Sequence, residues 1–276
     1  MKRKKVTPFN VSTAIILCLL AVVFVFPFYW IVTGAFKSLP DTIAIPPQWW
    51  PKAPTLENFQ KLLIQNPAGR WLWNSIFIST ATMVLVCLTS SLAGYVLAKK
   101  RFYGQKLIFS IFIGAMALPK QVVLVPLVRI VNFMGIHDTL AAVILPLVGW
   151  PFGVFLMKQF SENVPTELLE AAKIDGCGEI RTFISVVFPI VKPGFAALAI
   201  FTFINTWNDY FMQLVMLTSR SNLTISLGVA TMQAEMATNY GLIMAGAALA
   251  SVPIVTVFII FQKAFTQGIT MGAVKG

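Results

Sequence analysis

The sequence predicts an all-α fold: a polytopic membrane protein with six transmembrane helices and one further helix in a polar loop. Three observations carry this. Of 276 residues, 57% are hydrophobic and only 11% charged, against about 25% charged in soluble domains. Six apolar stretches, 12–36, 71–98, 107–129, 140–157, 186–217 and 242–265, approach or exceed the roughly 20 residues that cross a bilayer as a helix. The basic residues also alternate from one side of these stretches to the other.

That alternation accounts for the net charge of +11, which would otherwise suggest a nucleic-acid partner. With the N-terminus inside, fourteen of the 21 Lys and Arg fall on one side: Lys2, Arg3, Lys4, Lys5, Lys99, Lys100, Arg101, Lys106, Lys158, Lys173, Arg181, Lys192, Lys263 and Lys275. The opposite loops hold Lys37, Lys52, Lys61, Arg70 and Arg220, with Lys120 and Arg129 near that edge. An excess of cations on one face marks the cytoplasmic side. Both termini and the polar loop at about 159–192 are therefore expected in the cytoplasm of a cell-membrane protein, with no nucleic acid bound.

The first stretch follows Met-Lys-Arg-Lys-Lys. Its apolar run is long and no small-x-small cleavage pattern follows, so it reads as a retained helix rather than a signal peptide. The loop at 37–70 contains Pro40, Pro46, Pro47, Pro51, Pro54 and Pro67, which prevent a long helix. Trp49, Trp50, Trp71 and Trp73 flank the expected bilayer, where amphipathic rings prefer to sit. The third stretch contains Pro119, Lys120 and Pro126. A break near Pro119 is expected, with an interfacial continuation to Arg129; such breaks are tolerated where freed backbone faces protein or a water-lined path. Pro146, Gly149 and Pro253 mark kinks around a pathway or packing irregularities. Gly94, Gly114, Gly246 and Ala247 offer surfaces for close helix contact. No soluble domain fits between the stretches, so residues 1–276 read as one domain.

The loop at 159–192 needs its own explanation, because it is long and charged in an otherwise apolar chain. Pro165 suits a first helical turn, and Glu167 and Glu170 suit the positive end of the helix dipole. Leu168, Ala171 and Ala172 share a face at three-and-four spacing, and alanines let a partner's backbone come close. Gly176 can end the helix in a left-handed cap. Pro189 and Pro193 mark entry to the fifth stretch. A solvated connecting helix explains the polarity; docking to a soluble partner also explains the small face, the acid and the terminal glycine.

Catalytic chemistry is not visible. No G-x-x-x-x-G-K-S/T sequence occurs, and Gly176-Cys177-Gly178 is a bare G-x-G that follows no strand, so the chain is not expected to be an ATPase. Cys18, Cys87 and Cys177 share no metal or redox spacing. The single histidine, His137, lies in an expected outer turn beside Asp138 and receives no role. In the fifth stretch, Asn205, Asn208, Asp209 and Gln213 fall at i, i+3, i+4 and i+8, one stripe if the helix is continuous. An acid near mid-bilayer costs about 2.5–3.5 kcal/mol on insertion scales, so it should face protein or water. The stripe lines a polar pathway, with Trp207 and Tyr210 beside it, or forms an interhelical hydrogen-bond cluster.

Glu170-Ala171-Ala172, three residues, Gly176, nine residues, then Val186-x-Phe188-Pro189 resembles the loop by which membrane subunits of ABC importers grip their ATPases. The resemblance extends over the chain through Phe26-Pro27-Phe28-Tyr29-Trp30, Trp73-Asn74-Ser75, Ala93-Gly94-Tyr95, Arg101-Phe102-Tyr103-Gly104, Trp207-Asn208-Asp209-Tyr210 and the ending Gly272-Ala273-Val274-Lys275-Gly276. Together these look like the second permease subunit of maltose-type carbohydrate ABC importers, within the binding-protein-dependent transport inner-membrane component family. Val186 and Phe188 replace the usual Ile and Leu, and Met212-Gln213 replaces a common aromatic-Pro pair.

The resemblance implies a sugar-importer permease forming half of a translocation pathway. It implies a homologous permease, two ATPase subunits that use ATP and Mg, and an extracellular sugar-binding protein as partners, with no cofactor on this chain. Glu170, Ala171, Ala172, Asp175, Gly176 and Pro189 then couple to the ATPases; Asn205, Trp207, Asn208, Asp209 and Gln213 line the pathway; Lys275 and Gly276 reach toward the ATPases. An ABC permease for another solute and a non-transport membrane scaffold are the rival readings.

Overall fold

The computed structural model describes residues 8–235 and 239–273, and every regular element among them is helical. Helix α1 (Pro8–Ala35) precedes a loop that holds only the short α2 (Leu39–Thr42) and α3 (Glu57–Gln60) and a π-helical turn at Lys61–Gln65. Next come α4 (Ala68–Lys99), α5 (Gln105–Met116), α6 (Lys120–Phe133), α7 (Leu140–Ile144) and α8 (Pro151–Glu162). The polar loop contains α9 (Thr166–Ile174). Then α10 (Glu179–Thr182), a π-helical turn at Phe183–Val187 and α11 (Phe188–Trp207) follow one another without a gap. The chain ends with α12 (Tyr210–Met216), α13 (Ile225–Glu235) and α14 (Tyr240–Ala273).

Among the described residues, four helices are long and apolar enough to cross a membrane: Val11–Ala35, Ala68–Lys99, Glu179–Trp207 and Tyr240–Gln262. Two bent pairs raise the number to six if each is one span. The α5–α6 pair turns through 107°, and Leu140–Leu147 meets α8 at 42°. The break expected near Pro119 is present: Pro119 is extended (φ −62°, ψ 129°) just ahead of α6. At 1.5 Å per residue α5 is about 18 Å long, well short of the roughly 30 Å hydrocarbon core, so 107–129 is not one straight span. Pro146 lies just before the second bend and Gly149 within it, whereas Pro253 lies within unbroken α14. The fifth stretch also differs from expectation. It begins at Glu179 rather than 186 and stops at Trp207, not 217.

The chain divides into two compact units, Met1–Gly69 with Gly228–Val252, and Arg70–Leu227 with Pro253–Gly276. In the first unit, Lys37 is 2% exposed. Its ammonium donates to the Gln48 carbonyl and lies 4.3 Å over the Trp30 ring. Burial lowers its pKa, the Asp41 carboxylate pushing the other way. The Asn58 side chain donates to the carbonyls of Ala35 (2.9 Å) and Lys37 (2.8 Å), which closes the end of α1. Unpaired carbonyls at a helix end need such partners.

The second unit is built on α4. Its core joins Val86, Cys87 and Tyr95 of α4 with Met157, Val164, Val187, Val191 and Leu198. The N-terminal end of α4 holds the segment after α12 through that segment's backbone groups. Trp71 Nε1 donates to Arg220 O (2.6 Å), Asn74 Nδ2 to Ser221 O (3.0 Å) and Leu223 O (2.9 Å), and Ser75 Oγ accepts from Ile225 N (2.9 Å). Trp71 is 1% exposed, so it is a buried strut and not the interfacial anchor expected; Trp49, Trp50 and Trp73 are exposed. Thr89 donates to Val148 O (2.8 Å), satisfying a carbonyl at the second bend, and Lys99 donates to Glu162 O (3.1 Å) at the end of α8.

Of the glycines expected at helix contacts, Gly94 packs closest to backbone. A Cβ there would lie 2.6 Å from Lys158 N and 2.7 Å from Met157 C. Gly246 meets Val229, and Gly114 faces open space with nothing within 4 Å. Because backbone cannot rotate away as a side chain can, Gly94→Val should destabilise the protein by about 1–3 kcal/mol. The expected outcome is a lower melting midpoint in detergent, with Gly114→Val close to the unaltered protein.

Candidate functional site

Two regions gather the candidate residues. The first is α9. Pro165 is its N-cap, extended at ψ 134°, one place before the first turn where it was expected. At the other end Asp175 is the C-cap, and Gly176 has φ +74°, a left-handed conformation. Gly176 N–H donates to Lys173 O (3.1 Å) and Cys177 N–H to Ala172 O (2.9 Å). These paired bonds close the helix from within its own backbone, and the expected glycine cap is present. Glu167, Leu168, Glu170, Ala171 and Asp175 are exposed. Ala172 is 6% exposed, and Leu169 packs on the core that contains Val164 and Val187. So the expected small face divides: Ala171 and Leu168 point outward, whereas Ala172 is covered by the protein itself.

The segment leaving α9 is tied to α4. Lys100 Nζ donates to Glu179 Oε1 (2.6 Å), and Tyr95 OH donates to Glu179 Oε2 (3.3 Å). The bond to Glu179 raises the Lys100 pKa, against its partial burial. Pro189 lies one residue inside α11, and Pro193 lies farther along the same helix. Neither marks the entry to the span. Proline has no N–H to donate to the preceding turn, and the π-helical turn at Phe183–Val187 ends two residues before Pro189.

The second region is the gap between α11 and α12. The expected single-helix stripe is corrected here: Asn208 is the C-cap of α11 (φ −93°, ψ 1°), Asp209 is the N-cap of α12 (φ −79°, ψ 77°), and Gln213 belongs to α12. Short polar side chains compete with the helix for backbone bonds, and Asp209 Oδ1 accepts from Met212 N–H (3.2 Å). Asp209 Oδ2 accepts from Lys120 Nζ at 3.3 Å, joining the start of α12 to the start of α6. Asn205 and Asn208 are exposed. Trp207 and Gln213 turn inward, 3% and 2% exposed. Trp207 stacks on Phe203 (5.8 Å), and Gln213 donates to Thr206 O (2.9 Å) and accepts from Thr224 Oγ1.

Lys120 escaped the sequence reading as the partner of Asp209. The available signal was its place just after Pro119 in an apolar stretch, since an intramembrane cation requires a counter-charge. Asp138 also acquires a role: its carboxylate accepts from the N–H groups of Thr218 (2.8 Å) and Ser219 (2.9 Å) and from the Ser219 hydroxyl, and Asn222 donates to its carbonyl (2.6 Å). His137 touches Val215 O (3.2 Å), as a turn residue. Lys275 and Gly276 lie outside the described residues.

Residues 88–271 match the family described as binding-protein-dependent transport system inner membrane component. The chain belongs to that family. It is a multi-pass transport permease of the ABC importer type. It is 34% identical over 281 residues to the arabinooligosaccharides transport system permease protein AraQ of Halalkalibacterium halodurans, covering 100% of both chains. It is 30% identical to the lactose transport system permease protein LacG of Rhizobium radiobacter, over 94% of each chain. In fold it resembles a chain of a bacterial ABC transporter involved in import of the acidic polysaccharide alginate, with a TM-score of 0.83 at 18% identity, over 95% of this chain and 100% of that one.

Asp138 carries a pH-dependent prediction. Burial raises its pKa, but the bonds that Ser219 and Thr218 donate to the carboxylate outweigh it and bring the pKa from 3.8 down to about 2. A depressed carboxylate stabilises the fold fully above the unfolded value and loses that contribution as pH falls through the folded one. The melting midpoint in detergent should therefore contain a component that is constant above about pH 5 and declines toward pH 2. In Asp138→Asn that component should be missing.

Proposed function

We propose that this permease is one half of the membrane pathway of an ATP-driven importer of di- or oligosaccharides, with residues 1–276 acting as one transport domain. Its partners on this reading are a homologous permease, two ATPase subunits that hydrolyse MgATP, and an extracellular sugar-binding protein. The observation that carries it is α9. This short helix, closed at Gly176, presents Glu167, Leu168, Glu170 and Ala171 outward from a polar loop between apolar spans. The sugar class is supported by what the named relatives transport.

In this mechanism an ATPase grips the outward side of α9, with Glu170 paired to a cation of the ATPase and Ala171 admitting close backbone approach. Asp175 and Gly176 form the fixed end of the gripped helix, and Lys275 and Gly276 extend toward the same partner. Movement passes through Glu179 to α4 and along α10–α11, past Pro189. At the far end Asn205, Asn208 and Asp209 line the solute path, held from behind by Trp207 and Gln213. A polar path suits a hydroxyl-rich solute, whose hydroxyls need hydrogen-bond partners once out of water.

The test is a purified complex in proteoliposomes, supplied with sugar-loaded binding protein and a panel of neutral saccharides that includes arabinotriose and lactose. ATPase activity and uptake should both rise with a sugar of the panel. Glu170→Lys and Gly176→Trp should each reduce uptake at least tenfold while the protein still reaches the membrane. Normal uptake with normal ATPase association in both variants would refute the coupling role. A panel that stimulates nothing would remove the sugar reading.

Both termini are placed in the cytoplasm on this reading. Single cysteines introduced at Lys4 and Lys275 should resist a membrane-impermeant thiol reagent in intact cells, and one at Ser221 should react. Labelling at the first two positions would invert the topology.

A further inference from the structure

Thr82, in the middle of α4, is fully buried, and its hydroxyl has no hydrogen-bond partner among the described residues. Buried hydroxyls are nearly always satisfied. Ser90 and Ser161 share this state among the described residues, but Thr82 also borders a space that can admit a partner. Thr82 lines a small cavity of about 20 Å³ together with Lys120, Trp150, Asn205, Thr206 and Asp209. A space of this size accepts one water or one hydroxyl, for which roughly 10–15 Å³ is enough. Beside it lies a cleft of about 520 Å³, walled by Leu118, Val123, Phe152 and Phe211 among others. That volume is in the range of about 300–1,000 Å³ typical of small-molecule sites. Lys120, Leu147, Trp150 and Asp209 line both spaces.

The shared residues have unspent bonding capacity. The Asp209 carboxylate accepts from Met212 N–H and from Lys120, whereas two carboxylate oxygens offer about four acceptor positions. The Lys120 ammonium has three donors, and its side chain is 60% exposed against 11% for Asp209. A hydroxyl between them can donate to the carboxylate and accept from the ammonium at once. An aromatic face beside the pair, Trp150, suits the apolar side of a sugar ring.

We propose that these two spaces form one saccharide subsite. The ring lies in the cleft against Trp150, a hydroxyl is held by Lys120 and Asp209, and a neighbouring hydroxyl or hydroxymethyl passes the pair to meet Thr82. The subsite rests on the importer reading and deepens it, by assigning sugar contact to this subunit and by naming Lys120, Thr82 and Trp150 as determinants of which sugars pass. A solute without adjacent hydroxyls leaves Thr82 unsatisfied and gains little from the charge pair.

The experiment measures retention of radiolabelled sugar. The complex of this permease with its partner permease and ATPases is loaded from the binding protein with whichever sugar of the panel drives uptake. It is trapped with ATP and vanadate and separated from free sugar, and label is counted per assembled complex. Thr82→Val, which keeps shape and removes the hydroxyl, should reduce retained sugar at least fivefold, and Lys120→Met at least tenfold. Thr82→Ser should keep near-normal retention. Assembled Thr82→Val or Lys120→Met complexes that retain as much sugar as the unaltered complex would mean the small cavity holds only water, and would overturn the subsite. If the unaltered complex neither transports nor retains any sugar of the panel, the importer reading itself fails and the subsite with it.

Discussion

Hydrocarbon offers no hydrogen bonds, so every helix that stops or bends within a membrane must have its open backbone groups satisfied by other protein groups. In the Arg70–Leu227 unit much of that duty falls on α4. Its apolar residues form the core with α8 and α11, and its polar ones reach backbone that other elements leave open. Trp71, Asn74 and Ser75 serve 220–225, Thr89 serves the bend at Val148, and Lys99 serves the last residue of α8. An unsatisfied buried backbone group costs about 1–3 kcal/mol, which applies to those at 220–225, where the bonds are buried or part-buried. Trp71, Asn74, Ser75 and Thr89 therefore hold the bend between α7 and α8 and the segment that follows α12, while Lys99 closes the end of α8. The same constraint explains Asp209, which caps α12 and neutralises Lys120 at the start of α6.

Composition and charge bias made the helical membrane class plain, since both depend on residue type alone. The break at Pro119 and the cap at Gly176 were also readable, because proline and glycine act locally. The break after Trp207 was not. Asn208 and Asp209 sit in an apolar run with no proline or glycine beside them, and spacing alone suggested an unbroken stripe. Their preference for capping over helix became decisive only with Lys120 and Met212 N–H in place. Trp71 shows the same limit, because an interfacial ring and a buried strut look alike until the carbonyl of Arg220 comes within 2.6 Å. Gly94 and Gly114 likewise differ in nothing but what lies opposite them.

The two candidate regions use charge differently. Glu179 and Lys100 are substantially exposed, where ion pairs are worth about 0–1 kcal/mol, so this pair sets geometry at the exit of α9 rather than stability. Asp209 is mostly buried, and removing its partner leaves a charge with few alternatives. Breaking the first pair loosens a connection; breaking the second leaves an uncompensated carboxylate beside two cavities.

The uninterrupted run from Glu179 to Trp207 has a mechanical consequence. Its 29 residues measure about 43 Å at 1.5 Å per residue. One end is fastened beside the capped helix, and the other stops two residues before Asp209. A rod of that length turns a small rotation into a large displacement: tilting by about 5° about one end carries the other roughly 4 Å, by the same geometry. The Lys120–Asp209 contact is 3.3 Å, so a swing of that size is comparable to the whole reach of the bond it would have to accommodate.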